Sequence, residues 1–128
     1  MQNNLKVLIC DDSTLIRKKL KDILKRCKCE EVFESENGNK AVEMAKLYSP
    51  DIVFMDIIMP EKDGIEALKE IREWNPDVKV VMVSSVGTNQ HLKRALENGA
   101  IDFIQKPVTL EAVTNVLTKV LEEGNVNV

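Results

Sequence analysis

The chain has 128 residues, enough for one domain with its own hydrophobic core and no need of disulfide or metal staples. Its 18 Lys and Arg against 21 Asp and Glu leave a net charge of -3, which disfavours wholesale binding of nucleic acid or of an anionic membrane surface. With 44% hydrophobic residues, 30% charged and no apolar run longer than four residues, it reads as a globular protein, and neither a membrane-spanning segment nor a secretory leader is expected.

Short apolar runs alternate with helical periods along the chain. KVLIC at 6–10 is a first buried strand, followed by Ile16, Leu20, Ile23, Leu24 and Cys27 at helical spacing, with Asp12 or Ser13 as the cap. EVFE at 31–34 alternates as an edge strand does, and Asn37 caps a second helix marked by Ala41, Val42, Ala45 and Tyr48. Pro50 leads into the strand IVFM at 52–55, and Ile65, Leu68 and Ile71 mark the third helix. Pro76 precedes the strand VVMV at 80–83; Leu92, Ala95 and Leu96 form a fourth helix that stops at Gly99. IDFI at 101–104 is the last strand, and Thr109 caps a fifth helix with Val113, Val116, Leu117, Val120 and Leu121, ending at Gly124. Five βα units in succession require an α/β fold, a parallel sheet with helices on both faces. A single domain over 1–128 is expected, with its core at about 5–122 and a short tail at 124–128.

Cys10, Cys27 and Cys29 are odd in number and lack zinc-ligand spacing, so they are expected to be reduced and structural, as in a cytosol. The lone His91 is expected at the surface. Charge is unevenly spread: the segment 17–28 holds seven basic residues and one acid, a net +6, leaving -9 for the remainder. Lys18, Lys21, Lys25 and Lys28 recur at steps of three and four, so they are expected on one helix face.

In open α/β sheets the chemistry sits beyond the carboxyl ends of the strands. Asp11 and Asp12 follow the first strand, Asp56 the third, Ser84 and Ser85 the fourth, and Lys106 and Pro107 the fifth. Each has a bland explanation by itself. Asp11 and Asp12 suit the positive N-terminus of the next helix, and Lys106 suits a solvated loop. Asp56 is harder to dismiss, because it interrupts an apolar stretch from Ile52 to Met59 where a free charge is costly. Two carboxylates about 5 Å apart repel by roughly 3 kcal/mol at an effective dielectric near 20, so three at one rim call for positive charge. Lys106 supplies one, and an oxygen-only donor set suits a hard divalent cation such as Mg2+. A carboxylate nucleophile, a metal, a lysine and a hydroxyl are the parts of phosphoryl transfer.

Four motifs carry these residues: VLICDDS, IVFMDIIMPEKDG, VVMVSS and GAIDFIQKP. In this order and spacing, from Lys6 to about Glu122, the chain resembles a response regulator receiver domain. The resemblance implies a CheY-like, flavodoxin-like (βα)5 three-layer fold with strand order 2-1-3-4-5. It implies Asp56 as phosphoacceptor from a phosphohistidine, with Lys106 and Ser84 in catalytic roles. Asp11, Asp12, Asp56 and the main-chain carbonyl of Ile58 become ligands of Mg2+, for which Mn2+ can substitute. The Lys106–Pro107 bond is implied to be cis, and Ser84 and Phe103 to form a switch toward the helix 4, strand 5 and helix 5 surface.

By the same resemblance the partners are a sensor histidine kinase or histidine phosphotransfer protein at helix 1, a downstream target, and a phosphatase. The unphosphorylated protein is implied to be a cytoplasmic monomer that is not a conventional enzyme and binds neither nucleic acid nor membrane. The basic face of helix 1 has two readings, a solvated face or the docking surface for the phosphodonor. Departures are informative: Phe103 stands where relatives carry a tyrosine, and Ile58 and Val86 stand where some relatives have polar residues that assist water. Apolar residues there imply slow self-dephosphorylation.

Asp12-Ser13 and the VSS at 83–85 resemble chemotaxis-type receivers more than transcriptional ones. A phosphorelay intermediate and a receiver cut from a longer regulator are the nearest alternatives. A flavodoxin-like electron carrier shares the architecture but would need a Ser/Thr- and Gly-rich phosphate loop and more aromatics. An aspartyl phosphatase would need D-x-D after the first strand, where this chain has adjacent acids.

Overall fold

The computed structural model describes residues 3–85 and 89–126. Elements alternate strictly: β1 (Asn3–Cys10), α1 (Thr14–Arg26), β2 (Cys29–Ser35), α2 (Gly38–Tyr48), β3 (Ile52–Asp56), α3 (Gly64–Trp74), β4 (Lys79–Ser84), α4 (Asn89–Glu97), β5 (Asp102–Gln105) and α5 (Leu110–Val126). All pairings are parallel and the sheet order is β2-β1-β3-β4-β5. This is the flavodoxin-like α/β fold expected, with EVFE on an edge strand.

Period-two alternation splits the strands between two cores. Leu8, Val53, Met55, Val80 and Met82 face α2, α3 and α4, where they meet Ala41, Ala45, Ile65, Leu68 and Ala95. Val7, Ile9, Ile52, Phe54, Val81 and Val83 face α1 and α5, packing on Leu20, Leu24, Val113 and Val116. Because both faces are covered, the central strands are apolar throughout, and all five residues of β3 are buried, including Asp56.

Caps agree with the sequence reading. Ser13 Oγ accepts from Ile16 N, Asn37 Oδ1 from Lys40 N and Thr109 Oγ1 from Ala112 N. Gly99 lies just past α4 with φ +100, the left-handed conformation that favours glycine.

Several boundaries differ. β1 starts at Asn3, because Asn3 pairs with Cys29 across the sheet, a partner no local pattern reveals. β5 begins at Asp102, one residue after Ile101. α5 runs through Gly124 to Val126, since one glycine lowers helix stability by only about 1 kcal/mol and does not enforce a stop. Lys28 lies beyond α1 with φ 69, so it does not share the helix face of Lys18, Lys21 and Lys25. His91 is half-buried on α4. Cys10 and Cys29 are core residues, and burial pushes the Cys10 thiol up to about 12.

Candidate functional site

The strand order reverses between β1 and β3, which start outward crossovers in opposite directions. Asp11 and Asp12 follow β1 and Asp56 ends β3, so the topology alone brings the three acids to one crevice. One carboxylate oxygen from each lies within 4.8 Å of the others. Asp11 and Asp56 are buried, whereas Asp12 is exposed.

Three of the four polar groups of Asp11 are hydrogen-bonded. Its N–H donates to Ser35 O at 3.1 Å, and its carbonyl accepts from Arg17 Nη1 at 2.7 Å. Oδ1 accepts from Ser13 N at 2.9 Å. Oδ2 is buried with no aligned hydrogen-bond donor among the described residues, although the Lys106 ammonium lies 2.9 Å away.

Lys106 reaches the same crevice from beyond β5, with its Nζ also 3.3 Å from Asp56 Oδ2. Its N–H donates to Ser84 O at 2.9 Å, which ties the ends of β4 and β5, and the Lys106–Pro107 bond is cis as expected. Ser84 is buried at the end of β4.

Burial raises the Asp56 carboxyl above its usual range, Asp11 adds to the rise, and the Lys106 charge and hydrogen bond with the Ile58 N–H oppose it. Burial alone would lower Lys106, but the adjacent Asp11 carboxylate and that of Asp56 outweigh it and hold the ammonium above its usual value.

Three carboxylates against one ammonium leave the crevice negative. The donor set is all oxygen, and the unaligned buried Oδ2 of Asp11 is a ready ligand atom. Both features fit a hard divalent cation such as Mg2+, which takes few carboxylates and completes its shell with other oxygens.

The loop after β3 frames the crevice. The Gly64 N–H donates to Ile57 O at 2.7 Å, and a Cβ on Gly64 would stand 2.0 Å from Asp56 O. Asp63 caps α3 by accepting from Ile65 N and Glu66 N. Ile58 projects outward, 56% exposed, beside Asp56. Phe103 on β5 is half-buried against the core beneath α4 and pairs with Met82. Val86 lies outside the described residues.

Sequence reasoning missed Arg17 and Glu34. Arg17 Nε and Lys21 Nζ each lie 3.1 Å from the Glu34 carboxylate, on oxygens Oε1 and Oε2 respectively. The basic character of α1 was visible, but the strand partner that engages two of its cations was not.

An acidic crevice at the switch point of a 2-1-3-4-5 parallel sheet, with a buried serine ending β4 and a lysine just past β5, defines a receiver-type signalling fold. The profile of the response regulator receiver domain matches residues 7–118, and the chain belongs to that family. Its members are signalling proteins.

The chain is 44% identical to the chemotaxis protein CheY of Halobacterium salinarum over 116 residues, covering 88% of this chain and 96% of that protein. It is likewise 44% identical over 116 residues to CheY of Bacillus subtilis, covering 91% and 97%. Among solved structures it matches a chain of the CheX–CheY–BeF3–Mg2+ complex of Borrelia burgdorferi with TM-score 0.87 and 34% identity, covering 91% of this chain and 89% of that one. No helix among the described residues is long and apolar enough to cross a membrane.

Proposed function

We propose that the chain is a receiver that accepts a phosphoryl group on Asp56 from a phosphohistidine of a kinase or phosphotransfer partner. The observation that carries this reading is the convergence of Asp11, Asp12 and Asp56 within 4.8 Å, with Lys106 bridging two of them. An Asp56 carboxylate oxygen attacks phosphorus, the P–N bond breaks, and the imidazole nitrogen keeps its electron pair. Lys106 offsets negative charge gathering on the phosphoryl oxygens, and Ser84 donates a hydrogen bond to one of them. Asp11, Asp12, Asp56 and the Ile58 carbonyl would hold Mg2+, with Mn2+ able to replace it. When bound, the cation supplies charge neutralisation and alignment of the phosphoryl oxygens.

Phosphorylation then biases a pre-existing equilibrium. Drawing Ser84 toward the phosphoryl group frees space for Phe103 to turn inward, altering the face of α4, β5 and α5 that a downstream target reads. The basic face of α1 is the docking surface for the phosphodonor. Lys18 and Lys25 fit this best, because both are exposed and stand two turns apart, whereas Lys21 is engaged with Glu34. Identity of 44% to two chemotaxis proteins, over 96–97% of their length, supports a receiver role of the same kind.

Incubation with acetyl phosphate and Mg2+ followed by intact mass measurement tests the reading. One phosphoryl adduct is expected on wild type and none on Asp56→Asn. Equal yield on both would move the acceptor elsewhere.

A further inference from the structure

The cation site is held by more than its acids. Asp11 and Asp12 lie on the short turn between β1 and α1, where Ser13 N holds one Asp11 carboxylate oxygen at 2.9 Å and the main chain of the turn needs a further anchor. Arg17, one turn into α1, reaches back and donates through Nη1 to the Asp11 carbonyl at 2.7 Å. Its Nε donates to Glu34 Oε1 at 3.1 Å, and Nη2 lies 3.5 Å from Thr14 Oγ1. The Arg17 side chain is only 14% exposed. Glu34 stands on β2 opposite Ile9, so the guanidinium links helix, turn and edge strand. Burial pushes the Glu34 carboxyl up, but Lys21 and Arg17 outweigh it and hold it below the usual range. With its N–H on Ser35, its carbonyl on Arg17 and its Oδ1 on Ser13, Asp11 has one direction left for Oδ2, into the crevice.

We propose that Arg17 is a positioning residue for the divalent-cation site, orienting Asp11 through its main-chain carbonyl, with Glu34 fixing the guanidinium in turn. The inference rests on the reading that Asp11, Asp12 and Asp56 hold the cation. A planar fork serves carbonyl and carboxylate at once, which a lysine ammonium cannot do with the same geometry.

Charge and position predict opposite outcomes. A cation beside three carboxylates weakens Mg2+ binding by repulsion, so its removal should tighten binding if charge were its only effect. A positioning role predicts weaker binding, because partners that orient metal ligands typically contribute 10- to 100-fold in affinity.

The test is calorimetric titration of Mg2+ into the full chain, with thermal unfolding recorded in parallel. Wild type is compared with Arg17→Gln, Arg17→Lys, Glu34→Gln and Lys19→Gln, the last removing the same charge from an exposed α1 position. The Mg2+ Kd is expected to rise about tenfold or more in Arg17→Gln, not to recover in Arg17→Lys, and to rise less in Glu34→Gln. Lys19→Gln should stay at or slightly below the wild-type Kd. If Arg17→Gln does not fold, Arg17→Lys, which keeps the charge and changes only the geometry, carries the comparison by the same criterion. A lower melting temperature with a Kd within about twofold of wild type, or a tighter Kd, reduces Arg17 to a structural residue and overturns the inference. Wild type that takes up no Mg2+ overturns the cation-site reading itself, and this inference with it.

Discussion

Lys106 is the only cation within ion-pair distance of Asp11 and Asp56 among the described residues, and its loss should be felt in the resting protein before any phosphoryl chemistry. Its Nζ lies 2.9 Å from Asp11 Oδ2 and 3.3 Å from Asp56 Oδ2, with the lysine side chain 16% exposed. At an effective dielectric of about 20, each pair attracts by roughly 5 kcal/mol before dehydration is counted. Dehydration offsets much of this, and removing one partner of a buried pair leaves a net loss of about 3–5 kcal/mol. Lys106→Met keeps the bulk of the stem and deletes the charge, so a loss of about 3 kcal/mol is expected at neutral pH without Mg2+.

The assay is urea unfolding monitored by circular dichroism. The gap between wild type and variant should narrow on acidification. Asp56 already takes a proton more readily than an ordinary carboxyl, and without Lys106 the folded variant binds protons more readily still, so acid relieves its strain. Added Mg2+ should also narrow the gap. A loss under about 1 kcal/mol that ignores pH would show Lys106 to behave as a solvated surface charge and would refute the reasoning.

Asp56→Asn should stabilise the Mg2+-free protein. The raised Asp56 carboxyl binds more protons folded than unfolded just above its ordinary value, so wild-type stability falls as pH rises there, and the variant's advantage should grow from acid toward neutral pH in the same melts. Gly64→Ala forces a Cβ to within 2.0 Å of Asp56 O, a backbone atom that cannot step aside. A loss of about 3 kcal/mol and a slower reaction with acetyl phosphate are expected, measured by urea melts and adduct formation. Ile58→Asn replaces an exposed apolar group beside Asp56 with one that can orient water, so the phosphoryl lifetime, tracked by intact mass after donor removal, should shorten several-fold. Lys18→Glu with Lys25→Glu should slow transfer from the partner kinase while leaving the acetyl phosphate rate unchanged, and equal slowing with both donors would argue against docking at α1.

The candidate crevice was legible because an α/β sheet sends every strand end to one rim, so the residues at and just past those ends, Asp11, Asp12, Asp56, Ser84 and Lys106, could be placed together. Helix caps at Ser13, Asn37 and Thr109 were legible for a similar reason, as each acts within four residues of chain. The features that escaped reading depend on partners distant in sequence. The three extra residues of β1 form through pairing with Cys29, and Arg17 acquires its role from Glu34, 17 residues away. Lys28 fits the periodicity of α1 yet falls beyond its end, because the chain turns to φ 69 there to enter β2. Local spacing reports a face only as far as the helix extends. The imbalance of charge along the chain gains a location as well: the basic segment lies on α1, next to the acidic crevice whose turn it holds through Arg17.

The most direct test traps the acceptor chemically. After reaction with acetyl phosphate and Mg2+, borohydride reduces an aspartyl phosphate to the alcohol with release of phosphate, and peptide mapping then finds homoserine in place of the modified aspartate. Homoserine is expected at position 56 alone; homoserine at position 11 or 12, or a phosphoryl group that survives reduction on another side chain, would contradict Asp56 as the phosphoacceptor.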